Sequence, residues 1–166
     1  MNYQIRRAIK SDEPFLWQML YYAAHMDEDG ASLESAKTNP DLMSYVEHWG
    51  ERAGDVGFIA QVPDGEPAGA AWIRVMPDDS PLYQVVARSI PELAIAIAPE
   101  HIGKGAGALL LRHLLEAARG PHRAIALSVR ASNPAKRLYE RLGFVTVAEI
   151  KNRVGTASLV MKVVLG

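Results

Sequence analysis

Three glycines at alternate positions, Gly103, Gly105 and Gly107, stand directly before a leucine-rich amphipathic segment. Glycine loses more backbone entropy on folding than any other residue, so these three weaken a helix that begins there. The apolar segment before them ends at Pro99. The order is therefore a strand, a glycine loop and a helix N-terminus, where unpaired N–H groups and the helix dipole favour an anion. The glycines predict that an anion approaches the main chain closely, since side chains there would block it.

The glycine loop fits some classes of anion site better than others. A Walker-type loop needs Gly-Lys followed by Ser or Thr, whereas Gly105 follows Lys104, which excludes this class. A dinucleotide motif G-x-G-x-x-G/A fits Gly103, Gly105 and Ala108 but expects an acidic residue after the next strand. Only Arg130 stands there, suited to a 2′-phosphate, and fewer than 60 residues follow Ala108. An NADP-binding oxidoreductase is thus one hypothesis, and coenzyme A, with its pyrophosphate on the loop amides, is the other.

Around this loop the sequence resembles the GNAT superfamily of acetyl-CoA-dependent N-acetyltransferases. The family motif Gln/Arg-x-x-Gly-x-Gly/Ala, after a strand that ends apolar-x-Pro, is similar to residues 102–107 after Ile97-Ala98-Pro99. A second family motif is a strand, then Asn, then a helix that ends Leu-Tyr-x-x-x-Gly-Phe. It is similar to "LSVRASNPAKRLYERLGF". The resemblance covers residues 92–144 by motif and the whole chain by order of elements.

Two positions depart from the family pattern. Ile102 stands where the family has Gln or Arg, and its side chain cannot hydrogen-bond a phosphate. Because the other loop contacts are made by the backbone, the resemblance still implies coenzyme A binding, somewhat weakened. The family helix also has one more residue between its Asn and Tyr, so Asn133 is displaced relative to Tyr139. Ser132 is then the alternative contact.

The resemblance implies acetyl-CoA as the cosubstrate and indicates which residues bind it. The backbone of Ile95 and Ile97 would pair with the pantetheine amides and the thioester oxygen. Tyr139 occupies the family's general-acid position; the alternative is a core tyrosine, since Ala135 and Leu142 belong to the buried stripe of its helix. The expected cofactor-binding residues are Ile95, Ala96, Ile97, Ile102, Gly103, Lys104, Gly105, Ala106, Gly107, Ala108 and Asn133.

The general base is the least determined part of the prediction. Acetyl transfer to an amine requires a neutral amine, a polarised thioester and a proton for the departing thiolate. Over the segment "LSVRASN" this sequence is similar to the superfamily's ribosomal-protein acetyltransferases. Those enzymes carry Glu where Ser128 stands, so this chain lacks the residue that serves as their base. Glu92, at the mouth of a buried strand, is the candidate base, directly or through water; the alternative is a solvated strand-entry residue. The chain has no cysteine, which excludes a thioester intermediate on the enzyme.

Composition is that of an intracellular globular protein. The 166 residues suffice for a single domain, residues 1–166, with a hydrophobic core. The N-terminus does not resemble a signal peptide, and no apolar run approaches membrane-spanning length. We therefore expect a cytoplasmic protein without a membrane partner. The five histidines have no metal-ligand spacing, so no metal is expected.

Opposite charges are concentrated in the two parts of the chain. Residues 1–100 carry 7 Lys and Arg against 16 Asp and Glu, whereas residues 101–166 carry 11 against 3. One interpretation is an ordinary solvated surface. The other is a site with a polyanion over the basic part and a cation that enters from the acidic part. With a net charge of −1 and no dense basic-aromatic run, nucleic acid is not an expected partner.

The elements that position these residues follow from periodicity and from helix-breaking residues. Ser11 as an N-cap and Pro14 in the first turn predict a helix after a first strand at 3–8. Leu93–Ala98 is continuously apolar and predicts a strand buried on both faces. The other predictions are a loop at 26–40, a helix at 41–54, a hairpin at 56–76, a short strand or turn at 77–91, a helix at 105–119, a strand at 124–129, a helix at 133–143 that ends at Gly143, and strands at 144–150 and 156–165.

This order of elements predicts an α/β domain with a mixed sheet. The resemblance implies the GNAT acyl-CoA N-acyltransferase fold, a mostly antiparallel central sheet with helices on both faces. It also implies transfer of acetyl from acetyl-CoA to a primary amine of a small molecule, by direct attack in a ternary complex. A non-catalytic CoA-binding sensor is a further alternative, because the base at the Ser128 position is missing. A homodimer is left open.

The resemblance places the acceptor site beside the first two helices and the loop that joins them. Asp27, Glu28 and Asp29 of that loop are either a solvated segment or a border of the site. The candidates for lining the acceptor pocket are Tyr21, Tyr22, Tyr45, Trp49 and Arg74.

Overall fold

The structure is a computed structural model that describes residues 2–152 and 154–166. These residues form two compact units. The first unit comprises the chain up to Arg74 together with Ala94–Ala118, and the second comprises Val75–Leu93 and Arg119–Gly166. A single domain over 1–166 stays a prediction.

The described residues form seven strands: β1 (Gln4–Arg7), β2 (Val56–Gln61), β3 (Pro67–Arg74), β4 (Glu92–Ile97), β5 (Ala124–Arg130), β6 (Val145–Lys151) and β7 (Ala157–Val164). They form a mixed sheet in the order β1-β2-β3-β4-β5-β7-β6. The pairs β1–β2, β2–β3, β5–β7 and β6–β7 are antiparallel, and β4 pairs with β5 in parallel. The predicted mixed, mostly antiparallel sheet is confirmed.

Within the described part of the chain, the segments between the strands contain five α-helices: α1 (Glu13–Ala23), α2 (Leu33–Lys37), α3 (Pro40–Met43), α4 (Ala106–Ala118) and α5 (Lys136–Arg141). Short 3-10 turns precede α1, β4 and α4, at Lys10–Asp12, Pro81–Gln84 and Pro99–His101. Gly143 adopts a φ of +100° directly after the last turn of α5, so the predicted helix stop is confirmed.

In the first unit, helices pack on both faces of the strands. Ile59, Ala70 and Trp72 share one buried cluster with Leu16 of α1. Neighbouring residues of a strand point to opposite faces, and the ring of Phe58 contacts His113 of α4 at 5.9 Å between centroids. The predicted arrangement of helices on both faces is therefore confirmed in this unit.

The start of the first helix differs from the prediction. Ser11 lies in a 3-10 turn, and α1 begins at Glu13 with Asp12 at its N-cap. The carboxylate of Asp12 makes no capping bond to α1; it accepts two bonds from Arg6, at 2.8 and 2.7 Å, and one from the N–H of Ile9. Pro14 lies in the first turn, as predicted.

The loop predicted at 26–40 is also wrong in part, because it contains α2. Ser32 supplies the N-cap: its hydroxyl accepts from the N–H of Ser35 at 3.2 Å. The helix predicted at 41–54 is shorter, since α3 ends at Met43. Beyond it, the carbonyl groups of Ser44 and Glu47 accept hydrogen bonds from a buried arginine instead of continuing a helix.

Arg74, at the end of β3, is that arginine, and only 1% of its side chain is exposed. Its Nε and Nη2 groups donate to the two carboxylate oxygens of Asp55, each at 2.9 Å, and Nη1 donates to the carbonyl of Glu47 at 2.7 Å. The guanidinium also lies over the ring of Trp49, 5.3 Å from its centroid. The charge of Arg74 is thus matched from one segment, residues 44–55.

We expect Asp55→Asn to destabilise the fold strongly, because it leaves the buried charge of Arg74 without its counter-ion. Removal of one partner of a buried ion pair costs about 3–5 kcal/mol. The measurement is the free energy of unfolding by urea. The control is Glu34→Gln, which breaks an exposed pair with Lys37 at 3.9 Å and should cost less than about 0.5 kcal/mol. Similar losses in both variants would contradict the role assigned to Asp55.

Candidate functional site

The glycine loop, residues 102–108, connects β4 to the first turn of α4 in the first unit. Gly103 and Gly105 adopt φ values of +81° and +89°, the left-handed region that favours glycine. A Cβ built at either position would meet no atom within 4 Å. The space over the loop is therefore open, and these two glycines are required by their conformation and not by a protein neighbour.

The first turn of α4, next to this open space, has N–H groups without helical partners. The first helical hydrogen bond runs from the N–H of Leu109 to the carbonyl of Gly105, at 3.3 Å. The N–H groups of Ala106, Gly107 and Ala108 precede that bond and have no partner within the helix. No acidic residue stands in this turn, and Lys104 is exposed beside it. This end of α4 is therefore suited to an anion such as a phosphate.

The entrance to the loop is anchored by a tyrosine from the N-terminus. The hydroxyl of Tyr3 and Nδ1 of His101 are hydrogen-bonded at 3.1 Å, and their rings meet edge to face at 5.7 Å. Ile102 follows with 66% of its surface exposed. An apolar side chain at this exposure does not serve the core, and it offers a ligand only apolar contact.

The end of β4 is less buried than predicted on one face. Ala96 is buried, whereas Ile95 and Ile97 are half-buried, so the prediction of burial on both faces is wrong for these two residues. The neighbouring β3 comes very close here: a Cβ at Gly69 would lie 2.9 Å from the carbonyl oxygen of Ala96 and 2.6 Å from Cδ1 of Ile97. Only glycine permits this approach. An isolated glycine in a strand indicates such a contact, and the sequence interpretation missed it.

Tyr139 lies on α5 in the second unit, with 7% of its surface exposed. Its ring meets Phe144 edge to face at 6.0 Å between centroids. Burial raises the pKa of Tyr139 to about 12, so the phenol keeps its proton at neutral pH. Among the described residues its hydroxyl has no hydrogen-bond partner, and it is not fully enclosed. The hydroxyl is therefore a free, protonated donor.

Asn133 shapes the turn that leads into α5. Its side-chain oxygen accepts the N–H of Ala135 at 2.9 Å, and its backbone carbonyl accepts from Lys136 at 3.3 Å. The side chain is half-buried, while that of Ser132 is exposed. The oxygen of Asn133 is thus occupied by the turn, which leaves its amide N–H groups as the available donors.

Glu92 is 5% exposed, so the alternative of a solvated strand-entry residue is wrong. It lies opposite Ala126 of β5. Its charge acts on Tyr83, whose pKa is raised first by burial and further by the carboxylates of Glu92 and Asp78. The hydroxyl of Tyr83 accepts from the N–H of Met76 and donates to the carbonyl of Ile90, each at 3.0 Å.

The candidates for lining an acceptor pocket divide by burial. Trp49 and Arg74 are in the core of the first unit, at 2% and 1% exposure, and their partners are intramolecular. This burial removes them from the lining candidates. Tyr21, Tyr22 and Tyr45 are half-buried and stay candidates. The three acidic residues of the loop after α1, Asp27, Glu28 and Asp29, are exposed.

The predicted site residues therefore fall into two sets. The first unit brings together the strand end Ile95–Ile97 and the loop Ile102–Ala108. The second unit holds Glu92, Asn133 and Tyr139. Within residues 2–152 and 154–166, no group of three or more histidine, aspartate or glutamate side chains is placed to hold a metal ion. In that part of the chain no helix has the length and apolarity needed to cross a membrane.

One known protein family matches most of the chain. The family described as "Acetyltransferase (GNAT) family" matches residues 5–144. Among curated proteins no match was found.

Solved acetyltransferase structures share the fold at low sequence identity. A GNAT superfamily phosphinothricin acetyltransferase from Sinorhizobium meliloti, in complex with AcCoA, is 18% identical, with a TM-score of 0.71 over 100% of this chain and 90% of its own. YncA of Salmonella typhimurium, with its cofactor acetyl-CoA, is 20% identical, with a TM-score of 0.67 over 100% and 95%. A variant of the spermidine N-acetyltransferase SpeG from Vibrio cholerae is 20% identical, with a TM-score of 0.64 over 98% and 94%.

Proposed function

The chain belongs to the GNAT family of acetyltransferases, and we propose that it transfers acetyl from acetyl-CoA to a primary amine of a small molecule. The observation that carries this proposal is the open glycine loop, with Gly103 and Gly105 in left-handed conformations directly before α4. Family membership speaks against the NADP-binding oxidoreductase hypothesis.

The proposed cosubstrate fits the groups of the first unit. The pyrophosphate of coenzyme A would accept from the N–H groups of the glycine loop, where the space is open. The pantetheine would run along the half-buried face of β4 and pair with the backbone of Ile95 and Ile97. Exposed Ile102 would contribute apolar contact only, which supports binding through the backbone instead of a side-chain hydrogen bond.

The reaction needs one proton acceptor and one proton donor. The neutral amine attacks the thioester carbonyl, a C–N bond forms, and the C–S bond breaks as the thiolate leaves. We assign the proton of the amine to Glu92, directly or through water, and the proton for the thiolate to Tyr139. What supports this assignment is a buried carboxylate and a phenol that stays protonated at neutral pH because its pKa is raised to about 12.

An amine acceptor accords with the charge of the chain. Residues 1–100 carry a net charge of −9, from 7 basic and 16 acidic residues. A primary amine has a pKa of roughly 10 and arrives as a cation, so this charge attracts it at low ionic strength. Structural neighbours include acetyltransferases named for spermidine and phosphinothricin.

A CoA-binding sensor is the second candidate function, because Ser128 stands where related enzymes have their base. Binding of coenzyme A without turnover on a panel of amines would favour the sensor.

Acetyl-CoA should stabilise the protein and NADPH should not. At about 100 times its dissociation constant a ligand adds roughly 2.7 kcal/mol to the stability, which gives a measurable rise in melting temperature. Gly105→Val should abolish this rise, because its side chain would enter the open space and strain the loop. Gly65→Val is the matched control, since Gly65 has a φ of +96° and open space but lies in the β2–β3 turn. Protection by NADPH instead of acetyl-CoA would contradict the cosubstrate.

Tyr139→Phe should leave acetyl-CoA binding and the melting temperature nearly unchanged, because the hydroxyl has no hydrogen bond to lose among the described residues. Loss of a general acid lowers turnover by about 10²–10⁴-fold. The high pKa further predicts that wild-type activity does not fall through titration of Tyr139 below about pH 10. Steady-state kcat and acetyl-CoA affinity, measured on one confirmed amine, test both points. If chemistry is rate-limiting and kcat is unchanged, Tyr139 is a core tyrosine and not the general acid.

Glu92→Gln should lower turnover at neutral pH by about 10²–10⁴-fold, because the protonated amine loses its base. Activity should recover as pH rises, since free amine becomes abundant near its pKa of roughly 10. Glu100→Gln, at an exposed carboxylate, is the control and should match the wild type. The measurement is a pH–rate profile of all three proteins with one amine. Superimposable profiles of wild type and Glu92→Gln would remove Glu92 from the mechanism.

A further inference from the structure

The second unit contains a cavity that the proposed acetyl transfer does not use. Its volume is about 220 Å³, and its lining comes from the segment before β4 and from the turn between α4 and β5. The lining residues are Ser89, Ile90, Pro121, His122, Arg123 and Ala124, all within the second unit.

His122 belongs to the lining of this cavity, and its imidazole has no hydrogen-bond partner among the described residues. Its Nε2 is buried without a hydrogen-bond partner, which holds for no other buried side-chain nitrogen or oxygen among residues 2–152 and 154–166. Such atoms are rare in folded proteins and call for a missing partner. Neither ring nitrogen of His122 is held by a described residue, and Nδ1, unlike Nε2, is not fully enclosed, so Nδ1 is the nitrogen that a ligand can reach.

The other polar lining groups are also unengaged. The guanidinium of Arg123 and the hydroxyl of Ser89 form no ion pair or hydrogen bond with the described residues. The backbone of Arg123 is nevertheless fixed, because its carbonyl accepts the N–H of Leu165 at 2.8 Å. The lining therefore combines the exposed side chains of Arg123 and Ser89, both without a partner, with the half-buried imidazole of His122.

These groups select a class of ligand. No carboxylate belongs to the lining of this cavity in the described chain. A guanidinium offers a planar fork of N–H donors that matches carboxylate and phosphate oxygens, and hydroxyl and imidazole groups add further donors. Ile90, Pro121 and Ala124 supply an apolar wall. A cation finds no counter-charge here, whereas an oxyanion finds three donors.

We propose that this cavity binds a small oxyanion, a carboxylate or phosphate group, through Arg123, Ser89 and His122. The guanidinium pairs with two oxygens of the anion, the hydroxyl of Ser89 donates to one of them, and His122 supplies the third donor. The assignment does not rest on the acetyltransferase proposal, because none of the three residues belongs to that machinery.

The test follows the imidazole nitrogens of His122 by long-range ¹H–¹⁵N NMR while inorganic phosphate, or acetate in a second series, replaces chloride at constant pH and ionic strength. We expect a saturable shift of His122 with at least one of the two anions. Arg123→Ala should weaken the apparent affinity at least about tenfold, through loss of charge-assisted hydrogen bonds. Ser89→Ala should weaken it less.

Arg137→Ala is the matched control, because Arg137 is an exposed arginine on α5 in the same unit and should leave the affinity within about twofold. A response to phosphate alone identifies a phosphate group, and one to acetate alone a carboxylate; both support the proposal. Absence of a saturable shift with either anion would overturn it and assign the cavity to water. Equal weakening by Arg123→Ala and Arg137→Ala would overturn it as well, since the effect would then be one of general charge.

Discussion

The first unit is organised by the need to neutralise Arg74 away from solvent. A buried guanidinium is tolerated only when its charge and its donors are matched, and all of the partners come from residues 44–55. Asp55 provides two carboxylate oxygens and Glu47 a carbonyl group. Ser44 and Glu47 follow the last residue of α3, Met43, and their carbonyl groups face the guanidinium. The ring of Trp49 also lies over the guanidinium.

Glycine is the second organising feature of the first unit, and it is required for two different reasons. Gly69 is needed because β3 and β4 leave no room for a Cβ. Gly103 and Gly105 have room, and they are needed because only glycine readily adopts their left-handed conformation. The backbone of β4 is thus positioned from one side by packing, while the loop presents N–H groups to open space. Both arrangements suit a long anionic cosubstrate bound mainly through the backbone.

The second unit contributes groups whose chemistry depends on burial. Burial raises the pKa of Tyr139 to about 12, so its phenol is protonated at neutral pH. Glu92 is buried although it opens a strand, and its charge is felt by Tyr83. His122 has the opposite situation, a buried nitrogen without a partner. The second unit thus holds Tyr139, Glu92 and His122 in different surroundings.

Features with local causes were determined by the sequence itself. The spacing of Gly103, Gly105 and Gly107 predicted a glycine loop and the start of α4, and the two motifs predicted the family, because turns and helix caps depend on residues close in sequence. Only the tertiary structure decided that α3 stops early, that Glu92 is buried and that Gly69 touches β4. Each of these depends on partners distant in the chain: Arg74 and Asp55 are 19 residues apart. Local periodicity carries no information about such a partner, so burial and pairing appear only when the chain is folded.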